Sequence, residues 1–477
     1  MDEQRFLTIG KKSFTGVLII LAVLIVLAGV LGYLVPQGMY PRNELGEIIG
    51  PYEALSDPTA LPIWKILFSF VLIFTTLDAL PVAVISLFLL ILGGTFQVMQ
   101  SAQGIQVFLE RLVQRFKDRK YLLLRMMVLL FMSFGAFFGI FEESVALMPI
   151  VILLSISLGW DTMVGVGMSL MAAAFGFASA ITNPFSIGIA ASLADISVLS
   201  GGWLRVVVFM LMYLLLSTFL VRYAKKIEKD PKKSISYEED QKKVALGLSS
   251  VEPVEPNQAS VIYKAYVTLF VVLLATVLLT SLLELFAIVS IPSILVMAVV
   301  FLFGGWLAGY RISRSWKWTL RAFFKGVQSL LPALVLIFLA AGVKYIVSEA
   351  MIMDTILFEL VALLSQYPAI VSILLIYLFV LFLEFFIGSA SAKAILLMPI
   401  LLPLVDLIGI SKELAILPFL FGDGYANIIY PTNAVLLIGL SIASIKYSKW
   451  FKWTLGLQLI VLALTSVILI LAQWIGY

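Results

Sequence analysis

The sequence GIFEESV at 139–145 sets two carboxylates side by side, Glu142 and Glu143, followed by the hydroxyl of Ser144, at the turn of a long apolar stretch. Ionised carboxylates deep in a bilayer are costly, so an adjacent pair there needs a cation, a proton or a water-filled cavity. The plain alternative is two full spans joined at the membrane surface, where a Glu pair is ordinary. A second polar turn, GSASAKA at 388–394, supplies Ser389, Ser391 and the ammonium of Lys393. Its small residues permit close backbone approach, although they also serve simple helix packing. Lys393 suits a counter-ion for the glutamates or a ligand for a solute carboxylate, and both roles stay open. Two Asn-Pro interruptions complete the set: ITNPF at 181–185, with Thr182 and Asn183, and FGDGYANIIYPTN at 421–433, with Asp423, Asn427, Thr432 and Asn433. Proline removes an amide and disrupts the turn before it. The freed carbonyls can then coordinate a cation and the amides of the next half-helix an anion, which places a candidate cation site near Asn183 and Asn433. A bare Pro kink is the simpler reading of either interruption taken alone.

These residues sit in a chain whose solvent is a lipid bilayer. It is 62% hydrophobic, 13% charged and has a mean hydropathy of +1.09, values outside the soluble range. Spanning segments in lipid must satisfy their own backbone, and the long apolar runs select helices. The chain has no cysteine and no histidine, which removes disulfides, thiolate sites and imidazole chemistry. Its small basic excess collects in a few loops where membrane topology explains it, so no nucleic-acid partner is expected. Clear spans are expected at 14–35, 80–100, 201–223, 262–285, 290–310, 326–347 and 453–475, the first being retained rather than cleaved. Residues 121–159 and 369–410 read as two-armed hairpins, and 161–196 and 411–445 as broken helices. Residues 61–78 read as an outer interfacial or re-entrant helix.

Basic clusters before the first hairpin, at Lys225–Lys233, at Arg311–Lys325 and at Lys446–Lys452 are expected to be cytoplasmic. The acidic loop at 36–61 and the stretch carrying Glu349, Asp354 and Glu359 are expected outside. That threading gives an inside N-terminus and an outside C-terminus. VALMPI at 145–150 and ILLMPI at 395–400 lie 250 residues apart, as do Gly159 and Gly409. The chain therefore reads as an all-α polytopic membrane protein of two inverted-topology repeats. Residues 1–223 form the first repeat, 224–260 a flexible cytoplasmic linker and 261–477 the second repeat. About nine full spans plus two hairpins are expected. Inverted repeats with paired broken helices point to a secondary transporter with its site at the bilayer midplane.

With these motifs in view, the chain resembles the YfcC family, within the anaerobic four-carbon-dicarboxylate carriers and their ion-transporter relatives. The resemblance is carried by the stretch at 139–147, FASAITNPFSIGIA (177–190), VLSGGWLR (198–205), MPILLPLVDLIGI (398–410) and FGDGYANIIYPTNA (421–434). It implies hairpins and broken helices around a central site, elevator-like motion, and antiport of amino acids, particularly basic ones such as arginine and ornithine. It also implies a multi-pass protein of the prokaryotic inner membrane and a homodimer. Glu142, Glu143, Asn183, Asp423, Pro431 and Thr432 fall on the family's motifs, whereas the region of Lys393 departs from a GSGQA-like form. Glu142, Glu143 and Asp423 against Lys393 leave a negative excess, which suits a cationic or zwitterionic solute. The expectation is an amino-acid exchanger with no bound cofactor, coupled to sodium or protons. The alternative is a cation-coupled dicarboxylate carrier. An intramembrane enzyme using the glutamates as acid and base is disfavoured, because no histidine, cysteine or metal motif accompanies them. A passive channel is disfavoured as well.

Overall fold

The computed structural model describes residues 11–41, 50–55, 61–76, 79–104, 107, 116–142, 144–243, 256–285, 293–364 and 366–477. The apolar runs form helices throughout: α1 (Lys11–Leu34), α2 (Ala79–Ser101), α3 (Lys120–Ser133) and α4 (Ser144–Ser157). The first broken helix contains α5 (Thr162–Val166), α6 (Ala172–Ala178) and α7 (Ile189–Leu193). Then come α8 (Gly202–Lys229), α9 (Tyr237–Lys243), α10 (Pro256–Leu285), α11 (Ser293–Ser313), α12 (Trp316–Glu349) and α13 (Met353–Leu364). The second hairpin is α14 (Ala369–Glu384) with α15 (Ala390–Leu407), the second broken helix α16 (Lys412–Ala426) with α17 (Ala434–Ala443), and the last element α18 (Tyr447–Trp474).

Among the described residues, five helical stretches are long and apolar enough to cross a membrane: Val82–Ser101, Lys120–Phe138, Gly202–Lys229, Leu295–Ser313 and Tyr447–Trp474. The two arms of α12, bent by 40° around Pro332, make a sixth when counted as one span. The first arm of the first hairpin is thus long enough to span by itself, whereas α4, with 14 residues, is not.

Two bodies emerge from the packing. α1, α2, α10, α11 and α12 lie against one another, with the short helices Ile63–Leu67 and Ser69–Leu72 beside α1 and α12. The hairpins, the broken helices, α8 and α18 form the other body. Within it the two halves interlock reciprocally: α17 packs on α4, α7 packs on α15, and α6 crosses α16. Small residues permit that crossing. A Cβ on Gly424 would sit 2.3 Å from the Ala178 Cα, so even alanine there forces two helix backbones apart. Gly424→Ala is expected to cost about 1–3 kcal/mol, read as a lower Tm in detergent.

Two turns, one in each half of the chain, share their local structure. Gly159 and Gly409, at φ +85° and +74°, close matching helix ends in which Trp160 N bonds Ser155 O and Ile410 N bonds Val405 O. The next helices are capped at equivalent positions, Asp161 accepting from Val164 N at 2.9 Å and Ser411 from Leu414 N at 3.2 Å.

The linker departs from expectation. α8 continues to Lys229, and residues 230–243 are docked rather than free. Asp240 accepts from Thr162 N at 2.8 Å and from Ser236 Oγ at 2.7 Å, Lys243 donates to Ala443 O at 2.7 Å, and Lys449 bridges Ile235 O and Glu239. This strap ties α5 of the first half to α17 and α18 of the second. Its polar side chains find specific partners, which a reading of charge runs treats as solvated. The remainder of the linker, 244–255, lies outside the described residues. Asp240→Asn keeps the shape but weakens these bonds, and a loss of about 1–3 kcal/mol is expected in thermal unfolding.

Lys120, before the first hairpin, pairs with Glu228 inside the second basic cluster at 2.8 Å, and Lys449 of the last cluster pairs with Glu239 of the strap at 2.8 Å. The acidic loop joins the stretch after Ser348: Tyr40 N donates to Asp354 at 3.0 Å, and Lys65 pairs with Glu349 at 3.3 Å.

Candidate functional site

The first hairpin turns through a wide π-type turn at Phe134–Phe138, ended by Gly139 at φ +70°. Opening the turn leaves the Ala136 carbonyl available, and it accepts from the amides of Ile181, Thr182 and Asn183 in the adjacent break. Thr182 Oγ1 bonds Phe137 O at 3.0 Å, and Asn183 Nδ2 bonds Gly135 O at 3.2 Å. Asn183 Oδ1 caps the turn beginning at Pro184 by accepting from Phe185 N at 2.9 Å. The first break is therefore laced to the first hairpin rather than left open.

The second break falls later than the sequence suggested. α16 runs unbroken through Gly422, Asp423 and Gly424 to Ala426, and the chain leaves helical form over 427–433. The glycines serve close packing, Gly422 against Val380 and Gly424 against Ala178. Trp450 Nε1 bonds Ile428 O at 2.7 Å, which holds one freed carbonyl. Asn433 caps α17 by accepting from Leu436 N at 3.0 Å, and its Nδ2 donates to Asn427 Oδ1 at 2.6 Å.

The hairpin tips and the second break meet around one cavity of about 370 Å³, which Phe185 from the first break also lines. That volume lies in the range of small-molecule sites, about 300–1,000 Å³. Gly139, Phe141 and Glu142 come from the first hairpin, Gly388, Ser389, Ala390 and Ser391 from the second, and Asp423, Asn427, Thr432, Asn433, Ala434 and Val435 from the second broken helix. The opposite wall is Val82 and Ile85 of α2 with Ile337, Ala340, Ala341 and Lys344 of α12. Ser391 Oγ donates to Phe185 O at 3.1 Å, pinning the tip of one half to the break of the other. Two helices begin at the cavity wall, α15 capped by Ser389 and α17 capped by Asn433, so their first amides can receive an anion there.

The residues singled out from sequence sort into groups. Glu142, Ser389, Ser391, Asp423, Asn427, Thr432 and Asn433 line the cavity. Ser144 is fully buried with its hydroxyl directed to Ile140 O, and neither it nor Thr182 nor Asn183 reaches the cavity wall. Both Asn183 and Asn433 use Oδ1 as helix caps. Glu143 lies outside the described residues. Lys393 is 0% exposed and packs behind the wall, contacting Asp423 Oδ1 at 2.6 Å and the Glu384 carboxylate. Its partners are the carboxylates of Glu384 and Asp423.

Sequence reasoning missed Glu384 and Lys344. Each is a lone charge near the end of an apolar run, and an ionisable residue at membrane depth is itself a functional signal.

A model of the C4-dicarboxylate anaerobic carriers matches residues 14–474. The chain belongs to that family. The family's character as carriers makes the protein a multi-pass membrane transporter. It is 29% identical over 408 residues to YfcC of Escherichia coli (strain K12), named as a candidate basic amino acid antiporter, across 82% of this chain and 78% of that one. It is also 28% identical over 409 residues to a Haemophilus influenzae protein described as uncharacterised, across 83% and 76%. Among solved structures, the YdaH transporter of Alcanivorax borkumensis aligns over 98% of this chain and 99% of its own at 19% identity and a TM-score of 0.45. The MtrF efflux pump of Neisseria gonorrhoeae aligns over 95% and 94% at 18% and 0.44.

Proposed function

We propose that the protein is an amino-acid antiporter for basic or zwitterionic amino acids such as arginine and ornithine. The observation that carries this reading is the pairing of opposite poles in one cavity. Glu142 and Asp423 offer negative charge to an ammonium or guanidinium, while the first amides of α15 and α17 and the Lys344 ammonium offer the reverse to a carboxylate. The name of the Escherichia coli relative agrees with it.

The wall chemistry supports an elevator-like step. Apart from Lys344, the polar lining belongs to the body of hairpins and broken helices, and the facing wall of Val82, Ile85, Ile337, Ala340 and Ala341 is apolar. Such a wall makes no directional bonds, so a solute held by one body can slide past it. An inverted relation of the repeats is supported by their equivalent turns. The Asp161 turn bonds Tyr223 and Ser234 near the start of α18, whereas Gly409 accepts from Gln473 at the far end of that helix. We retain the nine spans, the inner-membrane orientation and the homodimer as parts of this proposal.

The test is counterflow in proteoliposomes. Liposomes loaded with ornithine are expected to accumulate labelled arginine several-fold faster than empty ones, with succinate failing to compete. Succinate accumulation without competition from amino acids would overturn the assignment. The second reading, a cation-coupled dicarboxylate carrier, is favoured by Lys344, by the two helix N-termini and by the description of the family. A strict sodium requirement for succinate uptake would select it.

A further inference from the structure

Behind the cavity wall, Glu384 at the end of α14, Lys393 near the start of α15 and Asp423 in α16 close on one another. All three side chains are at most 1% exposed. Two carboxylates face a single ammonium, so the cluster carries one negative charge too many if all three groups ionise. An uncompensated charge in such a dry place is costly. The second oxygens sharpen the problem, since Asp423 Oδ2 and Glu384 Oε1 are buried and take no hydrogen bond among the described residues. Asp423 also lines the cavity, which puts the surplus charge in touch with the solute space.

Among the described residues, Lys393 is the one cation paired with the cluster. On α14 and α16, Tyr377 and Tyr425 are engaged with Thr465 and Ser179. α6 and α7, packed against α16 and α15, contain no ionisable residue. On α13, Asp354 accepts from Tyr40 N, and Glu359 adds only negative charge. At the start of α16, Lys412 bonds Ala194 O and Glu413 accepts from Ser200. On α18, Lys449 is engaged with Glu239, and Lys452 lies one turn further along the same end. Across the cavity stand Glu142 and Lys344, of opposite sign.

We propose that the Glu384–Lys393–Asp423 cluster is a proton-binding site in which one proton and the cationic end of the solute replace each other. With the cavity empty, one carboxyl carries the proton. When an ammonium or guanidinium arrives, the O–H bond breaks, the electron pair stays on the carboxylate oxygen and the proton leaves through the cavity water. Either occupant leaves the cluster without surplus charge, the condition for moving it through a low-dielectric layer. The replacement step rests on the amino-acid reading of the cavity; the proton site does not.

Infrared difference spectroscopy of the purified full-length protein separates the two. Without solute, the wild type is expected to show the C=O stretch of a buried protonated carboxyl at neutral pH. Both Glu384→Gln and Asp423→Asn, each leaving one carboxylate for one lysine, are expected to lose it. Absence of the band in the wild type, or its persistence in both variants, overturns the site. Adding arginine to the wild type is expected to remove the band and release about one proton per arginine bound, and Glu384→Gln is expected to release none. A band that arginine leaves unchanged overturns the replacement step and leaves the proton site standing.

Discussion

Replacing Glu142 by glutamine is expected to abolish most arginine uptake while leaving folding intact. Glu142 is an exposed residue that lines the cavity, and glutamine keeps its size, so the substitution removes a charge without opening a hole. A hydrogen bond to a charged partner is worth about 1.5–3 kcal/mol, which corresponds to roughly ten- to hundredfold in affinity. The loss should appear as a raised KM for arginine in proteoliposomes, with an unchanged Tm. Uptake equal to wild type would remove Glu142 from the site, and a lowered Tm would show that its carboxylate supports the fold.

Lys393→Met has the opposite signature. Methionine fills similar space, but Glu384 and Asp423 are left facing each other, both buried and without a counter-charge. Removing one partner of a buried ion pair typically costs about 3–5 kcal/mol. The variant is expected to melt well below wild type and to transport nothing. The triple change Glu384→Gln, Lys393→Met, Asp423→Asn should recover much of the stability, since no charge is then stranded, yet stay inactive. A Lys393→Met protein as stable as wild type would mean that the cluster is not buried as described.

Much of the site was legible because proline, asparagine and glycine mark backbone departures locally. Pro184 and Asn183 announced the first break, Gly159 and Gly409 the matching helix ends, and the Glu and Ser-Lys turns the hairpin tips. The two hairpin tips converge on one cavity, as residue types at their turns suggested. What could not be read depends on partners far along the chain. Gly422 and Gly424 looked like part of a break but serve helix crossings against Val380 and Ala178, a distinction only packing makes. The capping roles of Asn183 and Asn433 also depend on which amides the folded chain brings to their Oδ1 atoms. Lys393 was found, but its partner Glu384 stands at the end of the preceding arm, and only the course of the turn between them brings the two together. The strap at 230–243 has the composition of a solvated linker, and nothing local reveals that Asp240 meets Thr162.

A density map of the protein in bilayer nanodiscs with arginine tests the central assignment most directly. The account expects density for the amino acid inside the cavity, its guanidinium or ammonium against Glu142 and Asp423 and its carboxylate at the first amides of α15 or α17. Density elsewhere, or a cavity that stays filled with water at saturating arginine while succinate occupies it, would contradict the account.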